Sequence, residues 1–542
     1  MEHKTSNNFE ESVRNLIEEI EQREKDGILE TANALVLKKL IRKAETTEEA
    51  SIIASLGTTY KKTGFHFDKR LEKHQLGNKI RFFKRKSEKC FGQAKEGEPI
   101  HKLIIGDNYY ALQNLLIQYK NGIDVIYIDP PYGKDNMGEF AKTTYNNAIS
   151  RDNLLSMLYF RLQIAKRLLK EDGIIFCSID DRNQAYVKCL FDEVFYEKNS
   201  CGMLLWQKKD KPSFLSKTFG SRFEYVLCYC KDIKMAFPFT LESTTIGKKY
   251  PINNAGNSLG ILKFKAGSVS FNLPDGIVEK QDMSEGNIKT TLLNDVVIEN
   301  GKNKNEFKLE GEFRYNQKTL DEVIENNEPI TIANIPFRPN HVKNGGEPKK
   351  MENILSKKFR YNCETNEDAT EQEIDILGSI CFENPKPVGL IELLLKATTY
   401  DKKDATVLDF FAGSGTTGHA VLDLNKDGGN RTFILCQMNE EHNEIAYEVT
   451  CKRLKRIMTG ECYDGSKDFK WTKENEPYGG QLEVYEIDEV DNNCTDEGKT
   501  PFDVIDETLY GQKKFTSLRD KIAWVCSNFE QTQMNYPKSE KV

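Results

Sequence analysis

Short apolar runs alternate with amphipathic helical patterns in two separate stretches of the chain. The predicted strands are 103–105, 125–128, 174–179, 226–229, 405–409 and 432–436. The clearest predicted helices between them are 153–169 and 387–399. Strands that alternate with helices favour a mostly parallel α/β sheet. The two stretches, 96–231 and 373–460, therefore predict two halves of one sheet.

The remaining parts of the chain show other patterns. Residues 1–95 carry apolar positions at helical spacing among Glu and Lys, which predicts a helical N-terminal extension. Residues 232–372 are rich in Asn, Lys, Gly and Thr with only short β-type pieces, which predicts an inserted, irregular α+β domain. Residues 461–542 are acidic and mixed, and they predict a small C-terminal extension.

Composition narrows the class of protein. The chain has 542 residues, of which 38% are hydrophobic and 30% charged, so several domains are expected. No apolar stretch approaches the ~20 residues of a membrane span, and the polar start has no signal-peptide core. A cytoplasmic protein is predicted. The 13 cysteines are scattered and predict small buried residues in a reducing compartment, without a metal site.

The run Asp129-Pro130-Pro131-Tyr132 directly follows an apolar strand and carries the most specific chemistry. A carboxylate and the carbonyl of Pro130 can each accept an N–H from the exocyclic amino group of a nucleobase. The prolines fix φ and stiffen the turn, and Tyr132 offers a face for stacking. The alternative is a strand that simply ends in a proline turn.

A second motif, from Asp409 to Gly418, joins a strand to a helix through a glycine-rich loop. Glycines permit a tight turn, and N–H groups at a helix start favour an anionic group. Such a loop binds a nucleotide-like ligand or is only a tight turn. It is not a P-loop, because the sequence nowhere contains Gly-x-x-x-x-Gly-Lys-Ser/Thr. An ATP-driven motor is therefore not expected in this sequence. The run Pro274-Asp275 with Glu279-Lys280 has the wrong spacing for a nuclease centre.

Together, Asp-Pro-Pro-Tyr and Asp-x-Phe-x-Gly-x-Gly-Thr resemble the motifs of DNA amino-methyltransferases that use S-adenosylmethionine. The catalytic motif precedes the cofactor loop, as in the β group of these enzymes. Gly106-Asp107-Asn108, the run 177–181 and Asn384-Pro385-Lys386-Pro387 further resemble the modification (Mod) subunit of type III restriction-modification systems. The resemblance covers residues 101–230 and 375–457.

The resemblance implies a Rossmann-like methyltransferase sheet whose insertion is a target-recognition domain. The implied catalytic residues are Asp129, Pro130, Pro131 and Tyr132. The implied cofactor residues are Asp107, Asp180, Lys386, Asp409, Phe411, Ala412, Gly413, Ser414, Gly415, Thr416 and Gln437. One position departs from the pattern, since Gln437 stands where many methyltransferases carry an acid, and Glu440 is an alternative. Lys386 could equally be a surface lysine before a helix, and Asp180 and Asp181 could instead cap a helix.

The implied reaction is methyl transfer to N6 of an adenine flipped out of duplex DNA. Cytosine-N4 methylation and a DNA-binding specificity subunit remain alternatives, and the large insertion disfavours RNA or a small molecule as substrate. The net charge of −7 hides local basic clusters, including Lys79–Lys89. Candidate DNA contacts are Lys208, Lys209, Lys211, Arg222, Lys349 and Lys350. Implied partners are double-stranded DNA, a second copy in a homodimer, and a separate ATP-dependent restriction (Res) subunit, although a solitary enzyme is possible.

Overall fold

The computed structural model describes residues 2–25, 29, 31–56, 79–132, 151–212, 218, 220–439, 443–491 and 500–533. Glu440 and Lys217, a further member of the basic cluster near residue 210, lie outside these residues. The chain divides into two compact units, and the first comprises Met1–Leu71 with Ser150–Ser156. Its helices are α1 (Glu2–Lys25), α2 (Thr31–Ile41) and α3 (Thr47–Leu56). They share a small core that includes Ile20, Ala34, Leu37, Ile41 and Ala50.

The second unit contains the main sheet, whose first strands precede the insertion. The strands are β1 (Lys79–Arg85), β2 (Ile100–Ile105), β3 (Ile123–Ile128), β4 (Leu169–Ile179), β5 (Ser200–Gln207) and β6 (Phe223–Cys230). The helices are α4 (Asn108–Tyr119), α5 (Arg151–Leu168), of which the part from Met157 onward belongs to this unit, and α6 (Gln184–Phe191). The β4 strand begins earlier than the apolar pattern predicts, because it runs through Glu171-Asp172-Gly173 at the start of the strand.

The insertion is more regular than its sequence predicts. It contains β7 (Thr240–Ser243), β8 (Lys249–Pro251), β9 (Leu259–Phe264), β10 (Val269–Phe271), β11 (Gly276–Val278), β12 (Gln281–Asp282), β13 (Thr290–Leu292), β14 (Val296–Glu299), β15 (Lys302–Asn303), β16 (Phe307–Glu312), α7 (Gln317–Glu325), β17 (Ile330–Ile332), β18 (Asn340–Val342), β19 (Pro348–Lys350), β20 (Ile354–Leu355) and α8 (Asn366–Leu377). Most of these strands form two sheets of seven and four strands, with a hydrophobic core of their own around Phe264, Phe307 and Phe337. Most of these strands are too short for alternation to be recognised in the sequence, and β9 and β16 are the described strands of the insertion that reach six residues.

After the insertion the α/β pattern returns. The elements are α9 (Val388–Thr398), β21 (Thr406–Asp409), α10 (Thr416–Leu424), β22 (Thr432–Gln437), α11 (Lys452–Thr459), β23 (Gln481–Asp491), α12 (Pro501–Val504) and α13 (Leu518–Gln533). The main sheet has ten strands in the order β1-β23-β2-β22-β21-β3-β4-β6-β5-β20. The strands from β23 to β4 are parallel, and β1 and β6 are antiparallel to their neighbours. The fold is thus the expected α/β methyltransferase sheet, split by the insertion.

Both ends of the chain contribute to this sheet, which corrects the predicted extensions. The sequence pattern predicts that residues 1–95 are helical, but residues 79–85 form the strand β1. The strand β23 lies between β1 and β2. The basic cluster at 79–89 pairs with acidic residues of β23. The ion pairs are Lys84–Asp488, Arg85–Glu483, Lys86–Glu486 and Lys79–Glu489. This cluster therefore joins two strands and is neutralised locally.

The parallel strands bring the predicted site residues to one edge of the sheet. Asp107 follows β2, Asp129 follows β3, Asp180 follows β4, and Asp409 and Gln437 are the last residues of β21 and β22. Ligands bind at the carboxyl ends of strands in open α/β sheets. The fold therefore predicts one shared site for these residues. None of the described helices is long and apolar enough to cross a membrane.

Candidate active site

A cavity of about 800 Å³ opens at the carboxyl ends of the parallel strands. The predicted residues that line it are Asp107, Asp129, Pro130, Pro131, Tyr132, Asp180, Lys386, Asp409, Phe411, Ala412, Gly413, Ser414, Thr416 and Gln437. Of the predicted catalytic and cofactor residues, Gly415 is not part of the lining. It is the N-cap of α10 and turns the loop into the helix. Two motifs far apart in sequence thus share one cavity, because β3 and β21 are neighbours in the sheet.

Both carboxylate oxygens of Asp129 accept hydrogen bonds from the chain. Tyr132 donates its hydroxyl to Oδ1 at 2.8 Å, and Lys386 donates Nζ to Oδ2 at 2.7 Å. The Asp129 side chain keeps 25% exposure toward the cavity. Burial raises the pKa of Asp129, although Lys386 opposes the shift. The carboxylate is therefore held in a fixed position and is a better proton acceptor than an exposed aspartate.

The ammonium of Lys386 is directed to Asp129 by the local backbone. The resemblance predicts a cofactor contact for this lysine, but its Nζ lies on the carboxylate and 3.1 Å from the Tyr132 hydroxyl. Lys386 stands between two prolines, and Pro387 is the N-cap of α9. Asn384 has a positive φ of 57°, which turns the chain toward the cavity. The side chain is only 7% exposed, so it is fixed in place.

Glu224, which the sequence patterns do not single out, is a further carboxylate of the site and lies close to Asp129 through Lys386. It lies on β6 opposite Trp206 and is 7% exposed. Its Oε1 accepts Nζ of Lys208 at 2.6 Å, and its Oε2 is 3.9 Å from Nζ of Lys386. The charges therefore alternate through the site in the order Lys208, Glu224, Lys386, Asp129.

The alternating charges set the ionisation of the group. Burial alone raises the pKa of Glu224, but Lys386 and Lys208 outweigh it and hold that pKa below its usual value. Burial lowers the pKa of Lys386, but Asp129 and Glu224 reverse the effect and raise it. Burial, with Asp129 and Glu224 nearby, raises the pKa of Tyr132 well above its usual value. Tyr132 is therefore a neutral donor and Lys386 a charged one.

The glycine-rich loop is shaped by two left-handed residues. Gly413 has φ of 52°, and a Cβ there would stand 2.9 Å from Cζ of Phe382. Gly415 has φ of 82° and begins α10 as its N-cap. The N–H of Gly413 donates to Oε1 of Gln437 at 2.7 Å. The loop therefore approaches the cavity more closely than a side chain would allow.

Gln437 holds the loop from the end of β22. Besides accepting the N–H of Gly413, it donates Nε2 to the carbonyl of Met438 at 3.0 Å. Its amide is thus engaged at both ends, although it lines the cavity. This explains how a glutamine is suited to a position where many methyltransferases carry an acid.

A buried arginine supports the same loop from below. Arg453 of α11 is 1% exposed, and its NH1 donates to Ser414 Oγ and to Thr416 Oγ1, both at 3.1 Å. Its NH2 donates to Gln372 of α8 at 3.1 Å. The arginine therefore ties the loop to two helices. It lies in an ordinary amphipathic helix, and the sequence offers no local signal for this contact.

Asp409 closes the turn at the end of β21. Its Oδ1 accepts the N–H of Phe411 at 2.9 Å, and its Oδ2 accepts the Thr417 hydroxyl at 2.5 Å. Burial, countered by these two hydrogen bonds, raises the pKa of Asp409 to about 7. The carboxyl group therefore orients the loop. Its buried environment disfavours the ionised carboxylate.

We expect this burial to make stability fall as pH rises. The folded pKa lies above the unfolded value of about 3.9, so the contribution of Asp409 is complete below pH ~4 and lost by pH ~7. Asp409→Asn removes this titration. Relative to the wild type, its free energy of unfolding should improve by about 1.4 kcal/mol for each pH unit between 4 and 7. Urea unfolding at several pH values measures the difference, and parallel pH profiles would contradict the assignment.

Asp107 is held by residues that the sequence did not predict for the site. Its Oδ1 accepts the N–H of Tyr109, as an N-cap of α4, and NH2 of Arg161, both at 2.8 Å. Arg161 also donates to the side chain of Asn108, whose Nδ2 donates to the carbonyl of Phe410 at 2.6 Å. The β2 turn is thereby tied to the strand end of β21.

Asp180 lines the cavity and stabilises the turn before α6, whose N-cap is Asn183, and its contact with a cofactor stays a prediction. Its Oδ1 accepts the N–H of Asn183 at 3.1 Å while its Oδ2 accepts Nε of Arg182 at 2.6 Å. Asp181 is exposed and accepts the hydroxyl of Tyr225 at 3.0 Å. Asp181 is not among the residues that line the cavity.

The candidate DNA contacts separate into inward and outward groups. Lys208 is paired with Glu224 inside the site, and Lys209 lines the cavity. Lys349 pairs with Glu242 at 3.3 Å. Lys211, Arg222 and Lys350 are exposed. Lys208 is therefore a component of the site, and the contacts with DNA remain a prediction for the others.

The comparison with known proteins gives a family for the central part of the chain. Residues 123–448 match the family described as DNA methylase. Residues 11–125 match a family described as an uncharacterised conserved protein. The first match covers more than half of the chain and includes both motifs that line the cavity.

Curated relatives have similar descriptions. The chain is 29% identical to the type III restriction-modification enzyme StyLTI Mod subunit of Salmonella typhimurium, over 67% of this chain and 58% of that protein. It is 30% identical to the EcoPI Mod subunit of Escherichia phage P1, over 68% of this chain and 64% of that protein. It is 28% identical to the type II methyltransferase M.KpnI of Klebsiella pneumoniae, over 68% of this chain and 89% of that protein. The chain thus spans about three fifths of the two Mod subunits.

Proposed function

The chain belongs to the DNA methylase family, and we propose that it methylates N6 of an adenine flipped out of duplex DNA at a specific sequence. The observation that carries the proposal is the shared cavity of Asp129-Pro130-Pro131-Tyr132 and the Gly413–Thr416 loop. The first motif suits an amino group on a base, and the second suits a methyl donor beside it.

S-adenosylmethionine fits the residues that are present. A cavity of about 800 Å³ is within the usual size for a cofactor site. The loop at the start of α10 brings backbone close to the cavity and carries no lysine for a phosphate. The residues that would hold the cofactor are Asp107, Asp180, Phe411–Ser414, Thr416 and Gln437. When bound, the cofactor supplies an electrophilic methyl group on a sulfonium.

The chain's own residues would prepare the amino group for attack. The Asp129 carboxylate and the Pro130 carbonyl accept its two N–H groups, which favours a pyramidal nitrogen with its lone pair directed to the methyl donor. The prolines keep these acceptors in place, so little reorganisation is required at the moment of reaction. The nitrogen must also lose a proton, and the raised pKa of Asp129 makes its carboxylate a suitable acceptor.

The target base must leave the duplex to reach this pocket. Unstacking and unpairing a base costs a few kcal/mol, and a stacking partner in the pocket compensates part of it. Tyr132 would supply that partner. Its hydroxyl is fixed by Asp129, so its ring has a defined orientation at the cavity wall.

We further propose that the chain is the modification and specificity subunit of a type III system. The two Mod relatives support this proposal. A homodimer and a separate ATP-dependent restriction subunit are proposed on the same ground. The similarity to M.KpnI favours the alternative of a solitary methyltransferase. Copurification with the product of a neighbouring restriction gene would distinguish them.

Methyl transfer from tritiated S-adenosylmethionine to unmethylated phage DNA tests the reaction, with nucleoside analysis of the product. We expect the label in N6-methyladenine. Label in N4-methylcytosine would show that the target is cytosine. Specific duplex binding without any transfer would favour a DNA-binding specificity subunit. Single-molecule sequencing of the methylated DNA would then identify the recognition sequence.

A further inference from the structure

Each oxygen of the catalytic carboxylate already accepts one hydrogen bond within the site, since Tyr132 donates to Oδ1 and Lys386 to Oδ2. An amino group that donates to Asp129 therefore shares one of these oxygens and competes with the donor already there. Displacing a buried ammonium is costly unless another anion receives it.

Glu224 is an alternative acceptor for both donors. The Tyr132 hydroxyl is 3.4 Å from Oε2 of Glu224, and Nζ of Lys386 is 3.9 Å from the same oxygen. The other oxygen of Glu224 is occupied by Lys208 at 2.6 Å, which fixes the carboxylate in place. One oxygen of a buried, anchored carboxylate thus faces both groups that occupy Asp129.

We infer that Glu224 is a positioning residue that receives Lys386 and Tyr132 when a target amino group takes their place on Asp129. The inference rests on the proposed function, because it concerns how the catalytic carboxylate is released to the base. The transfer requires only short movements of an ammonium and a hydroxyl between two carboxylates. The sum of charges in the site stays constant, and the ion pair that Lys386 gives up with Asp129 is replaced by one with Glu224.

The substitution Glu224→Gln keeps the shape and removes the charge. Lys386 then has Asp129 as its remaining carboxylate partner, and releasing Asp129 becomes harder. We expect kcat on unmethylated phage DNA to fall about tenfold to a hundredfold, with the KM for S-adenosylmethionine little changed. Glu224→Asp keeps the charge and should restore part of the rate.

The pH profile separates positioning from a structural role. The ionisable groups that face Asp129 and Glu224 are Tyr127, Tyr132, Cys177, Lys208, Lys386 and Asp409. Loss of the Glu224 charge removes a repulsion that raises the pKa of Asp129. The acid limb of kcat should therefore move to lower pH in Glu224→Gln and stay in place in Glu224→Asp.

Asp124→Asn is the matched control. Asp124 is also buried and paired with two lysines, Lys170 at 2.7 Å and Lys402 at 3.6 Å, but it stands at the other end of β3. Its substitution should lower stability without moving the acid limb. The inference would be overturned if kcat were unchanged in Glu224→Gln. It would also be overturned if kcat fell while the acid limb of its pH profile stayed at the wild-type position.

A measurement without catalysis keeps the inference testable if the proposed function fails. We expect Asp129→Asn and Glu224→Gln to have non-additive effects on urea unfolding, because each remaining carboxylate takes over Lys386. Additive effects would show that the two carboxylates do not share this lysine and would overturn the inference. Absence of methyl transfer by the wild type would instead count against the proposed function alone.

Discussion

Asp129→Asn is expected to reduce methyl transfer by about a hundredfold to a thousandfold, the range found for removal of a group that stabilises a transition state. The substitution keeps the size of the side chain and removes its charge. An asparagine keeps one amide oxygen that can accept an N–H, but it cannot take up the proton that the target amino group loses, and its NH2 can only donate. It would also face Nζ of Lys386, which now donates to Oδ2. Steady-state transfer of tritiated methyl groups to duplex DNA measures the loss.

Binding should survive this substitution. Lys386 keeps Glu224 as a nearby carboxylate, so its charge does not become unpaired. We expect duplex affinity and affinity for S-adenosylmethionine within about threefold of the wild type, which is less than 1 kcal/mol. Asp124→Asn on the same strand is the control for damage to the sheet. Equal losses of binding and of rate would mean that Asp129 supports the fold and does not act in the reaction.

Gly413→Val should weaken binding of S-adenosylmethionine about tenfold to a hundredfold, since left-handed backbone costs a β-branched residue about 1–3 kcal/mol. The reason is both conformational and steric. The residue has φ of 52°, and even a Cβ would lie 2.9 Å from Cζ of Phe382, which lines the cavity. Calorimetric titration with S-adenosylmethionine gives the change in affinity.

The control for Gly413→Val is another left-handed glycine with open space around it. Gly378 follows α8 with a φ of 88°, and a Cβ added at this position would meet nothing within 4 Å. Gly378→Val carries the backbone cost without the clash, so it should lower stability and leave cofactor affinity unchanged. Duplex binding should be retained in both variants. If both lost cofactor affinity equally, general strain and not the loop would be responsible.

The two motifs could be predicted because each is contiguous in sequence. A strand followed by Asp129-Pro130-Pro131-Tyr132, and a strand followed by the Gly413–Thr416 loop, both place their residues at carboxyl ends of strands. Parallel strands then bring those ends together without further information. The chemistry of the site is therefore largely local, and the structure adds that β3 and β21 are direct neighbours.

The supporting residues could not be predicted because their roles depend on distant partners. Glu224 is a single acid inside the apolar strand β6, and that isolated charge is the only sequence signal for it. Arg161 and Arg453 lie in amphipathic helices, where an arginine is normally exposed. The direction of Lys386 follows from the turn at Asn384 and from the Asp129 carboxylate, which is 257 residues away in the sequence.

The insertion shows a different limit. The strands β12 and β15 are two residues long, and several others are three. Such strands are too short to show the alternation of apolar and polar residues that marks a strand. The resulting fold depends on pairing between segments, such as β9 with β16. The sequence therefore predicted an inserted domain but not its sheets.

The position of β23 determines when the main sheet can be completed during synthesis of the protein. This strand separates β1 from β2, although every other strand of the sheet precedes it in the chain. Gly106 leads from β2 into Asp107 and packs closely against Ile487 of β23. A Cβ at position 106 would stand 2.9 Å from the Cβ of Ile487. A nascent polypeptide that has already made both motifs still lacks the strand behind the first turn of the cavity. The sheet is therefore complete only after residue 491 has been synthesised, so a translation product halted earlier would carry both motifs without the strand that packs behind Gly106.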